Sequence, residues 1–83
     1  MKKYLVDVYL PAVSKHIDVY LPTGKQIGEA TKLLVNIAEY LSGGGYKGTP
    51  NSVLLNAKNG EPLNRDQTVY DAGIRNSSKL ILI

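Results

Sequence analysis

The chain has 83 residues, of which 43% are hydrophobic, and its ten basic and seven acidic side chains give a net charge of +3. A chain of this length buries one small core, so residues 1–83 form a single domain with no room for a deep, multi-residue active site. The absence of cysteine excludes disulfides and thiolate metal sites and is compatible with a reducing compartment.

The N-terminal residues enter an alternating segment directly, and no stretch approaches the ~18–20 apolar residues that cross a bilayer. We therefore expect a cytoplasmic protein without direct membrane insertion. The basic residues are scattered, with no run longer than Lys2–Lys3, which favours a solvated surface over a nucleic-acid-binding one.

Two strands open the chain. Apolar and polar side chains alternate over Lys3–Leu10, and the alternation resumes over His16–Leu21 after the turn-forming residues 11–15. Adjacent strands joined by a short turn form an antiparallel hairpin. We predict that one face of this hairpin is buried and that the other faces solvent.

A helix follows the hairpin. Thr23 and Gln26 have the spacing of a capping box, which predicts a helix start at this point. Apolar residues then recur at steps of three and four, and the predicted inner face consists of Ile27, Ala30, Thr31, Leu34, Ala38 and Leu41. The three glycines of Gly43–Gly45 end the helix because they adopt left-handed conformations easily.

The second half contains shorter elements. We predict a third strand over Ser52–Ala57, a tight turn at Lys58–Gly60, a short edge strand at Glu61–Leu63, a capped helical turn at Thr68–Gly73 and a central final strand at Lys79–Ile83. The predicted fold is α+β, with the order ββαβ(β)β and a mixed sheet of four to five strands packed on one helix.

Patterns that resemble catalytic or ligand motifs have structural explanations. Gly43, Gly45 and Gly48 match G-x-G-x-x-G, but they follow a helix, whereas the dinucleotide motif follows a strand and precedes a helix. His16 and Asp18 share one strand face without a nucleophile beside them, which indicates a surface pair. The carboxylates lack metal-ligand spacing. We expect no catalytic residue, no metal and no cofactor.

The outward face of the sheet is the stronger functional signal. If Leu80 and Leu82 face the helix, alternation sends a cluster of apolar side chains outward, and such exposed patches mark partner surfaces. We predict a protein-binding site centred on Leu55, Ile81 and Ile83 that also includes Val53, Leu5, Tyr9 and Tyr20. A second copy of the chain is an alternative occupant.

The tyrosines suggest a second hypothesis for the same face, namely that it binds single-stranded nucleic acid. The chain has six tyrosines and neither phenylalanine nor tryptophan, and Tyr9 and Tyr20 are expected side by side on the hairpin, where they would stack single-stranded bases. Few basic residues are interleaved with them, so nucleic acid is the less favoured partner.

Several segments resemble ubiquitin-like β-grasp domains. The resemblance lies in Asn59–Leu63, Thr68–Ile74 and Lys79–Leu82, which match a short strand, a threonine-capped turn and a last strand. The hairpin and helix over Lys3–Leu41 fit the first half of that fold. The resemblance therefore covers essentially the whole chain and implies a ubiquitin-like β-grasp fold.

Within this superfamily, the order of motifs is most similar to the YukD/EsaB-type ubiquitin-like proteins of type VII (WXG100, or ESX) secretion systems in Gram-positive bacteria. The motifs are Ile17–Pro22, an immediate helix, Gly60–Leu63 and Asp71–Ile74. The resemblance implies a non-enzymatic cytoplasmic adaptor, peripheral to a membrane secretion complex, whose partner is a cytosolic part of the machinery.

Two alternatives come from the same superfamily. Related domains form the cytosolic N-terminal part of a multi-span membrane component, so the chain is alternatively an excised domain. Covalent modifiers and sulfur carriers need a flexible C-terminal diglycine, whereas this sequence stops at Leu82–Ile83. We expect conjugation or sulfur transfer only if the natural chain continues past Ile83.

Overall fold

A computed structural model describes residues 2–83 of the protein. Within this range the chain forms, in order, strand β1 (Lys3–Leu10), strand β2 (Lys15–Pro22), helix α1 (Ile27–Leu41), strand β3 (Leu54–Asn56) and strand β4 (Lys79–Leu82). The predicted α+β architecture, with one mixed sheet and one helix, is confirmed.

The strands form one sheet in the order β2-β1-β4-β3. Strands β1 and β2 are antiparallel, β1 and β4 are parallel, and β3 and β4 are antiparallel. Strand β4 thus has a neighbour on each side, which confirms its predicted central position. Strand β2 lies at one edge of the sheet.

The core lies between the sheet and α1. The inward side chains of β1, namely Val6, Val8 and Leu10, are at most 1% exposed, and Leu80 and Leu82 of β4 are also buried. The helix contributes Ile27, Ala30, Thr31, Leu34 and Ala38, as its spacing predicts. Packing one apolar sheet face on one apolar helix stripe accounts for this burial.

Two residues near the end of α1 differ from expectation. Leu41 was predicted to face the sheet but is 56% exposed, because it is the last residue of α1 and the chain turns away at Ser42. Tyr46, in the following loop, is instead 2% exposed. Its backbone N–H donates to Ser42 Oγ (2.9 Å) and its hydroxyl donates to Ser52 Oγ (3.3 Å). The loop after the helix therefore adds an aromatic ring to the core.

The start of α1 differs from the predicted capping box. The N-cap residue is Gln26, which makes no side-chain capping bond to any of the described residues. Instead, the N–H of Ile27 donates to the carbonyl of Gln67 (2.8 Å) and the N–H of Gly28 donates to that of Arg65 (3.0 Å). Backbone carbonyls from a distant loop thus satisfy N–H groups that a capping side chain would otherwise bind.

The third strand is shorter than predicted, and the fifth strand is reduced to one bridge. Strand β3 covers Leu54–Asn56, and residues 61–63 are joined to it by an isolated bridge between Leu55 and Pro62. Two hydrogen bonds flank the bridge, from Asn56 N–H to the Glu61 carbonyl (2.9 Å) and from Leu63 N–H to the Leu54 carbonyl (3.0 Å). Pro62 has no N–H to extend a ladder.

Candidate protein-binding face of the sheet

The face of the sheet opposite α1, here called the outer face, carries every second residue of each strand. In β1, Val6 and Val8 are buried against the helix, so Leu5, Asp7 and Tyr9 lie on the outer face. The other strands extend the outer face with His16, Asp18 and Tyr20 of β2, Lys79 and Ile81 of β4, and Leu55 of β3.

The strand register aligns three apolar outer-face residues, Tyr9, Ile81 and Leu55, in one row, here called the apolar row. Tyr9 pairs with His16 of β2 on one side and with Ile81 of β4 on the other, and Ile81 pairs with Leu55 of β3. Directly paired side chains on one face lie close enough to touch. The apolar row therefore crosses β1, β4 and β3 as one continuous strip, with Ile81 and Leu55 at its aliphatic end and His16 beside Tyr9 on β2.

Val53 and Ile83 lie next to the apolar row. They exchange two hydrogen bonds, from the Val53 N–H to the Ile83 carbonyl and from the Ile83 N–H to the Val53 carbonyl, each of 3.1 Å. Ile83 is 52% exposed, whereas Val53, Leu55 and Ile81 are half-buried. Five of the seven predicted partner-binding residues, Tyr9, Leu55, Ile81, Val53 and Ile83, thus form one contiguous surface.

The other two predicted residues, Leu5 and Tyr20, form a separate pair. They face each other across β1 and β2, are 39% and 55% exposed, and the Lys3 ammonium lies 4.7 Å from the centre of the Tyr20 ring. A polar row lies between this pair and the apolar row, because Asp7 pairs with both Asp18 and Lys79.

The structure therefore corrects the expectation that Tyr9 and Tyr20 lie side by side. Tyr20 pairs with Leu5, which is four residues from Tyr9 on the same strand. At ~3.4 Å per residue, this separates the two tyrosines by about 14 Å along the sheet. The hypothesis of a nucleic-acid partner required two neighbouring rings on which successive bases stack, and Tyr9 and Tyr20 do not provide them.

His16 also has a different partner from the one predicted. Its Nδ1–H donates to Asp7 Oδ1 over 2.9 Å, and its ring lies 4.7 Å from the Tyr9 ring at an angle of 40°. Asp18, the expected partner, pairs across the strands with Asp7. The hairpin register makes Asp7 and His16 diagonal neighbours, so counting back from the turn at residues 11–14 would have found this pair.

A shallow groove of ≈ 300 Å³ opens along the apolar row. Its apolar lining comes from Tyr9, Ala57, Leu80 and Ile81, and its polar lining comes from Asp7, His16 and Lys79. The groove combines apolar surface with both charges, which is a lining that suits side chains of a protein partner.

The sequence interpretation missed a second exposed apolar surface, on the solvent side of α1. Leu33 is 37% exposed, Tyr40 is 85% exposed and Leu41 is 56% exposed. Their steps of seven and eight residues along α1 place them on one flank of the helix, which a helical projection of the sequence shows.

Among residues 2–83, no three histidine or carboxylate side chains come together as a metal site. Over the same range, no helix has the length and apolar character required to cross a membrane.

No family model matches the chain, and no curated protein sequence is detectably similar to it. Comparison with solved structures, in contrast, finds many similar folds. The chain is similar over its whole length to the ubiquitin-like domain of EccD5 from Mycobacterium xenopi, with a TM-score of 0.75 and 17% identity, and covers 94% of that domain.

Two further structures come from related systems. The ubiquitin-like domain of the type VII secretion system protein ECCD1 from Mycobacterium tuberculosis has a TM-score of 0.69 at 18% identity, with 100% of this chain and 99% of that chain covered. A chain of the MycP5-free ESX-5 inner membrane complex has a TM-score of 0.75 at 16% identity, and all of this chain covers 21% of it. At these identities the similarity shows the fold, which is the predicted ubiquitin-like β-grasp.

Proposed function

We propose that the protein is a non-enzymatic ubiquitin-like binding module of a type VII secretion system. It docks on a cytosolic component of the secretion machinery through the apolar row and the adjoining Val53 and Ile83. The observation that carries this proposal is the continuous strip from Tyr9 through Ile81 to Leu55, which the strand register places on the open face of the sheet.

The energetics favour a protein partner for this strip. Covering a half-buried leucine or isoleucine removes its remaining apolar surface from water, at about 25 cal/mol per Å². A few such anchors at the centre of an interface carry most of the binding free energy, and polar residues surround them. Asp7, His16 and Lys79 are placed as that polar border along the groove.

Two observations support the proposal that the protein belongs to a secretion system. The motif order resembles YukD/EsaB-type proteins, and the fold is similar to ubiquitin-like domains of EccD proteins. A second candidate, an excised cytosolic domain of a membrane component, is favoured by one observation: the chain matches about a fifth of a larger chain within the ESX-5 inner membrane complex. Both candidates place the module at the cytosolic side of a membrane complex.

Partner capture with altered outer-face residues tests the proposal. The double variant Leu55→Thr and Ile81→Thr places β-branched threonines, which suit strands, at both positions and removes both aliphatic anchors. Removal of anchors worth ~2 kcal/mol or more should weaken capture of secretion-system components from native lysate at least ~30-fold. Quantitative mass spectrometry of the captured proteins gives the measurement.

The matched control removes apolar surface elsewhere. Leu33→Thr and Tyr40→Thr alter the exposed flank of α1 and should leave capture unchanged. Circular dichroism should show that both double variants remain folded. Equal capture by the outer-face variant and the unaltered protein would show that the proposed face is wrong.

A further inference from the structure

A second cavity, distinct from the groove along the apolar row, opens at the end of the sheet. It has a volume of ≈ 580 Å³ and lies between the turn that follows β3 and the loop that leads into β4. Asn56 and Lys58 line it from the turn, and Asn76, Ser77 and Lys79 line it from the loop and the start of β4.

The charged side chains that line this cavity are all positive. Lys58 and Lys79 both line it, and none of the described residues that line it is acidic. Neither lysine forms an ion pair with any side chain between residues 2 and 83. Although Lys79 is the neighbour of Asp7 across β4 and β1, no carboxylate lines the cavity itself, where the two ammonium groups attract anions.

The asparagine side chains add hydrogen-bond donors. Asn56 Oδ1 accepts the N–H of Lys58 (2.8 Å), and Asn76 Oδ1 accepts the N–H of Leu5 (3.0 Å). Because a backbone N–H only donates, these bonds fix which end of each amide is the oxygen. Each Nδ2 amino group therefore keeps both hydrogens, and neither Nδ2 has a partner among residues 2–83.

The serine hydroxyls that line the cavity also keep hydrogens that they can donate. Ser78 Oγ accepts the N–H of Arg75 (2.8 Å), which leaves its hydroxyl hydrogen to donate. The Ser77 hydroxyl and the backbone N–H of Asn76 have no partner within the described part of the chain. The side chains that line this cavity thus present ammonium, amide and hydroxyl donors, while three of their four side-chain oxygens each already accept a backbone N–H.

We infer that this cavity binds a phosphate group. A phosphate carries several acceptor oxygens and a full negative charge, which match two ammonium groups and donors arriving from both walls. The lining offers a cation no negatively charged side chain. Leu63 and Ala72, which are half-buried, also line the cavity, so it offers apolar surface to the rest of a larger phosphate-bearing molecule. The inference does not depend on the proposed function, since Leu55 is not among the residues that line the cavity.

Nuclear magnetic resonance of the ¹⁵N-labelled full chain tests the site. Titration with inorganic phosphate, at ionic strength held constant with sodium chloride, should shift the amide signals of Lys58, Asn76 and Lys79 in a saturable manner. The double variant Lys58→Gln and Lys79→Gln loses two charge-assisted hydrogen bonds, so its binding should be roughly tenfold weaker or more.

The control variant Lys15→Gln and Lys32→Gln changes the net charge equally, from +3 to +1, at residues outside the cavity. It should bind phosphate like the unaltered chain. Absence of saturable shifts, or equal weakening in both double variants, would overturn the inference, because general electrostatics would then explain the result.

Vesicles distinguish the source of the phosphate. Co-sedimentation with phosphatidylglycerol vesicles, compared with phosphatidylcholine vesicles, tests a lipid headgroup. Sedimentation that requires Lys58 and Lys79 supports the site with a lipid as its ligand. Phosphate shifts at the cavity without such sedimentation support the site with a free phosphate compound as its ligand. Sedimentation that the two control lysines affect equally, without phosphate shifts, would contradict the site.

Discussion

At Gly48, the loop after α1 passes against the helix so closely that a side chain cannot fit. A Cβ built on Gly48 would overlap Cγ1 of Val35, and the Gly48 N–H donates to Glu39 Oε2 (3.1 Å). Val35 is β-branched and lies on a helix, where its χ1 angle is restricted, so it does not move aside easily. This glycine is required for space, since its backbone φ is outside the left-handed region.

We therefore expect Gly48→Ala to destabilise the fold by about 1–3 kcal/mol, the usual cost of overpacking. Each kcal/mol lowers the melting temperature of a domain of this size by roughly 4–8 °C. Gly24→Ala is the control, because nothing lies within 4 Å of its added Cβ. That variant should change stability by less than about 0.5 kcal/mol. Thermal unfolding gives both values.

Adding Val35→Ala to Gly48→Ala should restore part of the loss, because it removes the methyl groups that the new Cβ meets. Equal melting temperatures for Gly48→Ala and Gly24→Ala would contradict the close approach of loop and helix.

At the scale of elements, two threonines that the sequence presents as caps behave differently in the structure. Thr68 Oγ1 accepts the N–H of Asp71 (3.0 Å) and the Thr68 carbonyl accepts the N–H of Ala72 (2.9 Å), so Thr68 caps the turn as predicted. Thr23 Oγ1 makes no hydrogen bond to the described residues, because Gln26 occupies the N-cap position of α1.

The different roles of Thr68 and Thr23 give a second stability prediction. Thr68→Ala should destabilise the protein by about 1 kcal/mol, the typical cost of losing a capping hydroxyl. Thr23→Ala should cost less than about 0.5 kcal/mol, since it removes no cap. Urea unfolding at constant temperature measures both changes. A larger loss for Thr23→Ala would indicate that the predicted capping box forms in solution.

The elements with local signals were predictable from the sequence. Alternation gave β1 as Lys3–Leu10, the range observed, and glycines marked the end of α1. The start of α1 and the reduction of Glu61–Leu63 to one bridge were not predictable, because they depend on hydrogen bonds to residues distant in the chain. The burial of Tyr46 is of the same kind, since no periodic pattern surrounds it.

At the scale of the whole molecule, the outer face was predictable but its arrangement was not. Alternation places Leu55, Ile81 and Tyr9 outward, but only the parallel pairing of β1 with β4 aligns them in one row. The same pairing sets Lys79 beside Asp7 and separates Leu5 and Tyr20 from the row. Parallel pairing joins strands remote in sequence, so no local pattern fixes its register.

The groove along the apolar row and the phosphate cavity at the end of the sheet share two lining residues, Lys79 and Leu80, of which only Lys79 lies on the outer face. Their tests remain separate because Leu55 belongs to the row alone and Lys58 belongs to the cavity alone. Loss of partner capture and loss of phosphate binding are therefore measured on different variants.

Site-specific photocrosslinking in the native cell tests the central claim most directly. Tyr9 in the apolar row and Tyr40 on the exposed flank of α1 are each replaced by a photoreactive phenylalanine derivative, so that the two probes differ only in position. Position 9 should yield covalent adducts with a component of a secretion machine, and position 40 should yield few. Adducts from position 40 alone would contradict docking through the outer face of the sheet.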